Sequence, residues 1–168
     1  ELNGKMFAVE NFDVKPELVS FAKGVTGGYV QLGGVAVSSR IAGYFDDHLL
    51  SCGLTYSGHP LACAAGVACV NYYSKAHILD NVNKVGKVLA EIEDDMKARH
   101  KCVGDARHIG LFSCLELVKD KETREALVPY GRDPEGVMPR IIGMLKAERF
   151  MTYSHEKMVF VCSPLIIK

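Results

Sequence analysis

Apolar positions along the chain follow two periods. Residues 18–22 (LVSFA) are a short continuous apolar run closed by Lys23. That pattern predicts a short, buried, parallel-type strand delivering one polar side chain at its end. Residues 35–38 read as a second strand and residues 40–46 as a short helix. From Pro60, residues 61–73 are dominated by Ala, Cys and Gly. Proline suits a first helical turn, where its missing N–H has no helical partner anyway. Val82, Val85, Leu89, Ile92 and Met96 recur at threes and fours with charges between them, which predicts an amphipathic helix ending near His100. Residues 110–118 read as a strand and residues 120–129 as a polar loop. Asp133-Pro134-Glu135 has the form of a helix start, with Asp as N-cap, and Ile141, Ile142 and Leu145 carry its apolar face. Pro139 falls inside this helix and is expected to disturb its first turns. Residues 151–153 and 158–167 read as the last strands, and residues 5–10 alternate weakly as a strand would.

Composition changes near residue 75, from Gly/Ala-rich to charged. This sets the expected division: residues 1–75 belong to one domain and residues 76–168 to a second, α+β domain. Twenty Lys+Arg balance twenty Asp+Glu, so the chain has no general attraction for nucleic acid or anionic membranes. The apolar runs are too short to span a bilayer. No Cys-x-x-Cys pair occurs among the six cysteines, and the six histidines lack metal-ligand spacing, so no metal site is expected. Cys63, Cys69 and Cys114 lie in apolar runs and read as buried free thiols, which suits a reducing, cytoplasmic setting.

Two segments carry candidate chemistry. Lys23 closes an apolar strand, where an unpaired ammonium is costly to bury. Either it snorkels to solvent, or it is a functional amine suited to Schiff-base chemistry. Gly24, Gly27, Gly28, Gly33 and Gly34 follow closely, and such density lets backbone approach a flat ligand. The second segment, Leu54-Thr55-Tyr56-Ser57-Gly58-His59-Pro60, places hydroxyls and backbone amides before a helix N-terminus. That arrangement serves an anion such as phosphate, or ordinary helix capping.

Together the two segments reach a family. Leu18-Val19-Ser20-Phe21-Ala22-Lys23-Gly24-Val25-Thr26-Gly27-Gly28-Tyr29-Val30-Gln31-Leu32-Gly33-Gly34 resembles the cofactor-lysine signature of class III aminotransferases. Thr55-Tyr56-Ser57-Gly58-His59-Pro60-Leu61-Ala62-Cys63-Ala64-Ala65 is similar to their downstream phosphate-binding motif. Ser163-Pro164-Leu165-Ile166-Ile167 is similar to their Pro-Pro-Leu-Ile-Ile. With matching spacing, the resemblance covers essentially the whole chain.

The resemblance implies an α/β architecture, part of a fold-type I transferase large domain (residues 1–75) followed by an α+β small domain (residues 76–168). It implies pyridoxal 5′-phosphate as cofactor and Lys23 as its Schiff-base lysine. Thr55 would bind the cofactor phosphate, usually across the interface of a homodimer. The implied reaction moves an amino group from an amine or ω-amino acid to an oxo acid such as pyruvate. The arginine that many members place near Phe160 to hold an α-carboxylate is absent there, a trait of the branch acting on taurine, ω-amino acids and amines; Arg149 is the alternative cation. The family's pyridine-pairing aspartate, Gly-Ser phosphate segment and stacking aromatic belong upstream of Gly4. Its last helix follows Ile167. The chain by itself is therefore expected to be a truncated, inactive portion. The alternatives are a non-catalytic folded fragment serving dimerisation, and an aminomutase or decarboxylating transaminase of the same family.

Overall fold

The computed structural model describes residues 1–168. The chain divides into two compact units, Phe7–Ile78 and Glu1–Met6 with Leu79–Lys168.

In the first unit, strand β1 (Leu18–Ala22) pairs with β2 (Gly33–Val37), Leu18 facing Val37 and Ala22 facing Gly33. The pairing is antiparallel, which corrects the parallel-type expectation for residues 18–22. The reason is the connection: residues 23–32 are fewer than the dozen or so that a parallel crossover needs. Phe21 lies across Gly34, where an added Cβ would stand 2.7 Å from the ring. Burial alternates along β1, so the strand is half-open instead of fully enclosed. Helix α1 (Ser39–Tyr44) follows, with the Ser38 hydroxyl accepting from the Ile41 amide. Helix α2 (Pro60–Lys75) buries the stripe Ala62, Gly66 and Tyr73 and leaves Leu61, Val67, Val70 and Tyr72 exposed. Gly66 lets the helix close on Leu32, whose Cδ2 an added Cβ would meet at 2.8 Å. Cys63 falls on the open face of α2 and is exposed, contrary to the expectation; Cys69 is half-buried and Cys114 buried. Residues 5–10 are not a strand: a 3-10 turn, Ala8–Asn11, forms there, and Glu10 accepts from the Phe7 amide at 2.7 Å.

The second unit is a helix-backed antiparallel sheet. Helix α3 (Ile78–Arg99) keeps Asp80 in its first turn and Lys97 and Arg99 in its last, as the helix dipole favours. The sheet runs β3 (Val103–Ile109), β4 (Phe112–Asp120), β7 (Met158–Cys162), β6 (Tyr153–His155), and the two-residue β5 (Glu125–Ala126) pairs with β4. Val128, Met138 and Val159 form a core with Leu117, Ile141, Ile142 and Leu145 packed against it. Helix α4 (Val137–Ala147) starts later than Asp133-Pro134 suggests. Asp133 caps it from outside, its carboxylate accepting from the Val137 and Met138 amides at 2.9 and 2.8 Å. Pro139 is then the third helical residue, within the first turn whose amides have no helical partners, so it costs no hydrogen bond. Residues 1–6 join this sheet's turn: the Leu111 amide donates to the Leu2 carbonyl at 2.7 Å and Asn83 Nδ2 to the Gly4 carbonyl at 3.0 Å.

Candidate active site

Strand β1 ends where Lys23 turns sharply away. Lys23 has φ 60° and ψ −78°, a backbone state that residues with a Cβ seldom hold. Such states cost roughly 1–3 kcal/mol and persist where the surroundings over-determine them, most often at functional sites. The restraints are visible. The Lys23 carbonyl accepts from the Thr26 and Gly28 amides, each at 3.2 Å, which closes the 3-10 turn Gly24–Thr26. Gly27 and Gly28 follow at φ 61° and 81°, values that glycine takes without strain.

Lys23 is exposed and lines an open cavity of about 460 Å³ with Ala22, Gly28, Val30, Gln31, Leu32 and Gly33. A second cavity, about 560 Å³, shares the wall Val30–Gly33 and is closed on its other side by Leu54, Tyr56, Ser57, Gly58, His59, Leu61 and Ala62. The two sequence motifs therefore meet across one short segment, residues 30–33. They do not meet at one point. Thr55 sits in the exposed turn before α2 and lines neither cavity. The N-cap of α2 is His59, whose side chain makes no capping bond. Its first-turn amides are thus left to water or to an anion, and the capping role open to the Thr55 and Ser57 hydroxyls is not taken up.

The residues fit an aldehyde-bearing, phosphorylated aromatic cofactor. A primary amine lines a cavity within the usual small-molecule range of roughly 300–1,000 Å³. Ala22, Val30 and Leu32 offer apolar walls to a ring, and an uncapped helix N-terminus closes the adjoining space. No group of three or more His, Cys, Asp and Glu is placed to hold a metal ion. No helix is long and apolar enough to cross a membrane.

In the second unit, Phe160 occupies the position where the resemblance leads one to look for an arginine. It stacks on Phe112 at 6.2 Å and on Tyr153 at 5.9 Å, an aromatic row across β4, β7 and β6. Arg149 follows α4 in a left-handed conformation, φ 63°. Two features escaped the sequence reading. Gln31 lines both cavities. Thr26, only 1% exposed, is buried beneath the lysine turn. The signal for Thr26 was a threonine three residues after the lysine, which by itself reads as an ordinary loop residue.

These features define a chain of the class III aminotransferases: the family model Aminotransferase class-III matches residues 2–167, and the protein belongs to that family. Its mixed helix-and-sheet fold matches solved fold-type I transaminases. A taurine:2-oxoglutarate aminotransferase from Bifidobacterium kashiwanohense, solved with PLP and glutamate, is 55% identical with a TM-score of 0.93, over 99% of this chain and 37% of that one. An adenosylmethionine-8-amino-7-oxononanoate aminotransferase of Nitratidesulfovibrio vulgaris is 36% identical over 138 residues, 77% of this chain and 24% of its own length. A putrescine–pyruvate aminotransferase of Pseudomonas aeruginosa is 33% identical over 133 residues, 76% of this chain and 28% of its own. The chain thus spans about a quarter of the curated relatives it matches.

Proposed function

We propose that the protein is a pyridoxal-phosphate-dependent transaminase that moves an amino group from taurine, an ω-amino acid or an amine to an oxo acid. The observation that carries this is the strained Lys23, held at the rim of a cavity by its own turn. Lys23 Nζ is the amine that would hold the cofactor through its carbonyl carbon. When bound, the cofactor supplies an electron sink for the carbon that loses its proton, and a carrier for the amino group between the two half-reactions. The Lys23 amine, once free, would take the proton from the donor carbon that bears the amino group and deliver it to the cofactor carbon that had carried the aldehyde. One side chain thus serves as nucleophile and proton shuttle. Val30, Gln31, Leu32 and Gly33 would form the wall against which the ring lies.

Thr55 serves the cofactor phosphate of the other subunit in a homodimer. Its place outside the Lys23 cavity of its own chain supports this reading. For the donor, the apolar residue at 160, where the resemblance leads one to look for an arginine, and the 55% identity to a taurine enzyme point away from an α-carboxylate. That relative's acceptor is 2-oxoglutarate, which falls within the oxo acids that the resemblance implies, and the acceptor is proposed as an oxo acid. The free thiols suit a reducing, cytoplasmic setting.

The test offers the full-length protein, loaded with pyridoxal phosphate, taurine, β-alanine, 4-aminobutyrate and putrescine in turn. Each is paired with 2-oxoglutarate and with pyruvate, and the amino product is measured. Turnover with one donor–acceptor pair, abolished in Lys23→Ala, is expected. Turnover surviving Lys23→Ala would overturn the assignment of the lysine. An aminomutase would instead isomerise its donor with no acceptor present.

A further inference from the structure

We propose that Thr26 is a positioning residue for Lys23: its buried hydroxyl ties the strained lysine turn to Val30, which lines the same cavity. The proposal rests on the reading of Lys23 as the cofactor lysine.

Thr26 is almost fully buried at 1% exposure. Its Oγ1 donates to the Val30 carbonyl at 2.5 Å and lies 3.3 Å from the Lys23 carbonyl. Both Lys23 and Val30 line the 460 Å³ cavity. One hydroxyl therefore bridges two residues that both line the cavity. Its backbone amide adds a third restraint, donating to the Lys23 carbonyl at 3.2 Å, beside that of Gly28. The next carbonyl along, Gly24, is met from α2 by Tyr73 Oη at 3.5 Å and Cys69 Sγ at 3.6 Å. The peptide planes on the C-terminal side of Lys23 are thus held by Thr26, Tyr73 and Cys69, none of which lines the cavity, together with the Gly28 amide.

A hydroxyl with a single proton, buried beneath a residue at φ 60°, does more than fill space. Valine has nearly the same shape and would fill it equally well. What valine lacks is the bond to Val30 and the contact with the Lys23 carbonyl. Without them the turn can relax toward ordinary backbone angles, and Nζ is delivered at a different point on the cavity wall. A displacement of about 1 Å at a reacting group lowers rates by up to about a hundredfold.

The test uses the full-length holoenzyme and the variants Thr26→Val and Thr26→Ser. Three quantities are read: kcat and donor KM, the absorbance of the lysine-bound cofactor with the pH at which it titrates, and the melting temperature. Thr26→Val is expected to lower kcat by about ten- to a hundredfold with donor KM little changed. It should also move the pH midpoint of the absorbance. Thr26→Ser, which keeps the hydroxyl, should restore both. Unchanged kcat and midpoint in Thr26→Val overturn the proposal, as does a loss of equal size in Thr26→Ser, or a change in melting temperature alone. Should Thr26→Val not fold, Thr26→Ala is read in the same way. If neither folds while Thr26→Ser does, the hydroxyl is structural and the proposal fails. Absence of lysine-bound absorbance in the unmodified protein would instead sink the cofactor reading itself, and the proposal with it.

Discussion

His108 Nδ1 lies 3.7 Å from Glu93 Oε2, a buried carboxylate oxygen that no hydrogen-bond donor reaches. The other oxygen of Glu93 accepts from the Ser113 hydroxyl, so α3, β3 and β4 converge on one carboxyl group. Burial pushes the Glu93 carboxyl above its ordinary value; the Ser113 bond and the charge of His108 oppose this, while Asp94 adds to it. A carboxyl whose value is raised on folding stabilises the fold at low pH. That contribution is complete below the ordinary glutamate value and is lost as pH rises through the raised one. Glu93→Gln keeps an acceptor for Ser113 and removes the charge. It should flatten the fall in melting temperature above the ordinary glutamate range. Melting curves between pH 4 and 8, superimposable for the two proteins, would show that Glu93 does not set this slope.

Gly86 separates local propensity from packing. In an isolated helix, alanine there would gain about 1 kcal/mol over glycine. In the folded protein its Cβ would stand 2.7 Å from the Gly110 carbonyl oxygen, a backbone atom in the turn that also receives residues 1–6. Gly86→Ala should therefore destabilise the protein, by roughly 1–3 kcal/mol as overpacking does. Chemical denaturation gives the sign directly.

Asp133 lies outside α4 yet accepts from two of its first amides. Asp133→Ala should cost about 1 kcal/mol, a typical loss for an N-terminal cap, and Asp133→Asn less, because its amide oxygen still accepts. Equal losses in both variants would show that the second carboxylate oxygen carries the cap.

Thr55 lines neither cavity of its own chain, which makes subunit mixing informative. Lys23→Ala and Thr55→Val are each expected to leave little activity. If Thr55 serves the other subunit, a mixed dimer of the two variants holds one site with both residues intact, and activity reappears on mixing. If Thr55 serves its own chain, both sites stay defective and no activity returns.

Much of this was legible in the sequence, because strong local signals agreed with the packing. The threes-and-fours spacing from Val82 to Met96 has one helical solution, and Pro60 has one natural place at a helix start. What was hidden depended on partners distant in sequence. Strand β3 carries Asp105, Arg107 and His108, and only its pairing with β4 reveals it as a strand. The apolar run of β1 does not state which strand it meets, whereas the short connection after it dictates the antiparallel pairing with β2. Cys63 read as buried because small apolar helices usually are, and here one stripe alone of α2 is covered within the unit. At the site, Lys23 stood out as a charge closing an apolar run. The role of Thr26 did not, since hydroxyls bridging two carbonyls across a loop leave no periodic trace.

The proposed function turns on Lys23 as the amine that carries the cofactor. The direct test mixes the full-length protein with pyridoxal phosphate, reduces it with borohydride, and maps the modified lysine by peptide mass spectrometry. Modification concentrated on Lys23 and absent in Lys23→Ala is the predicted result. Modification scattered over surface lysines, unchanged in Lys23→Ala, would contradict it.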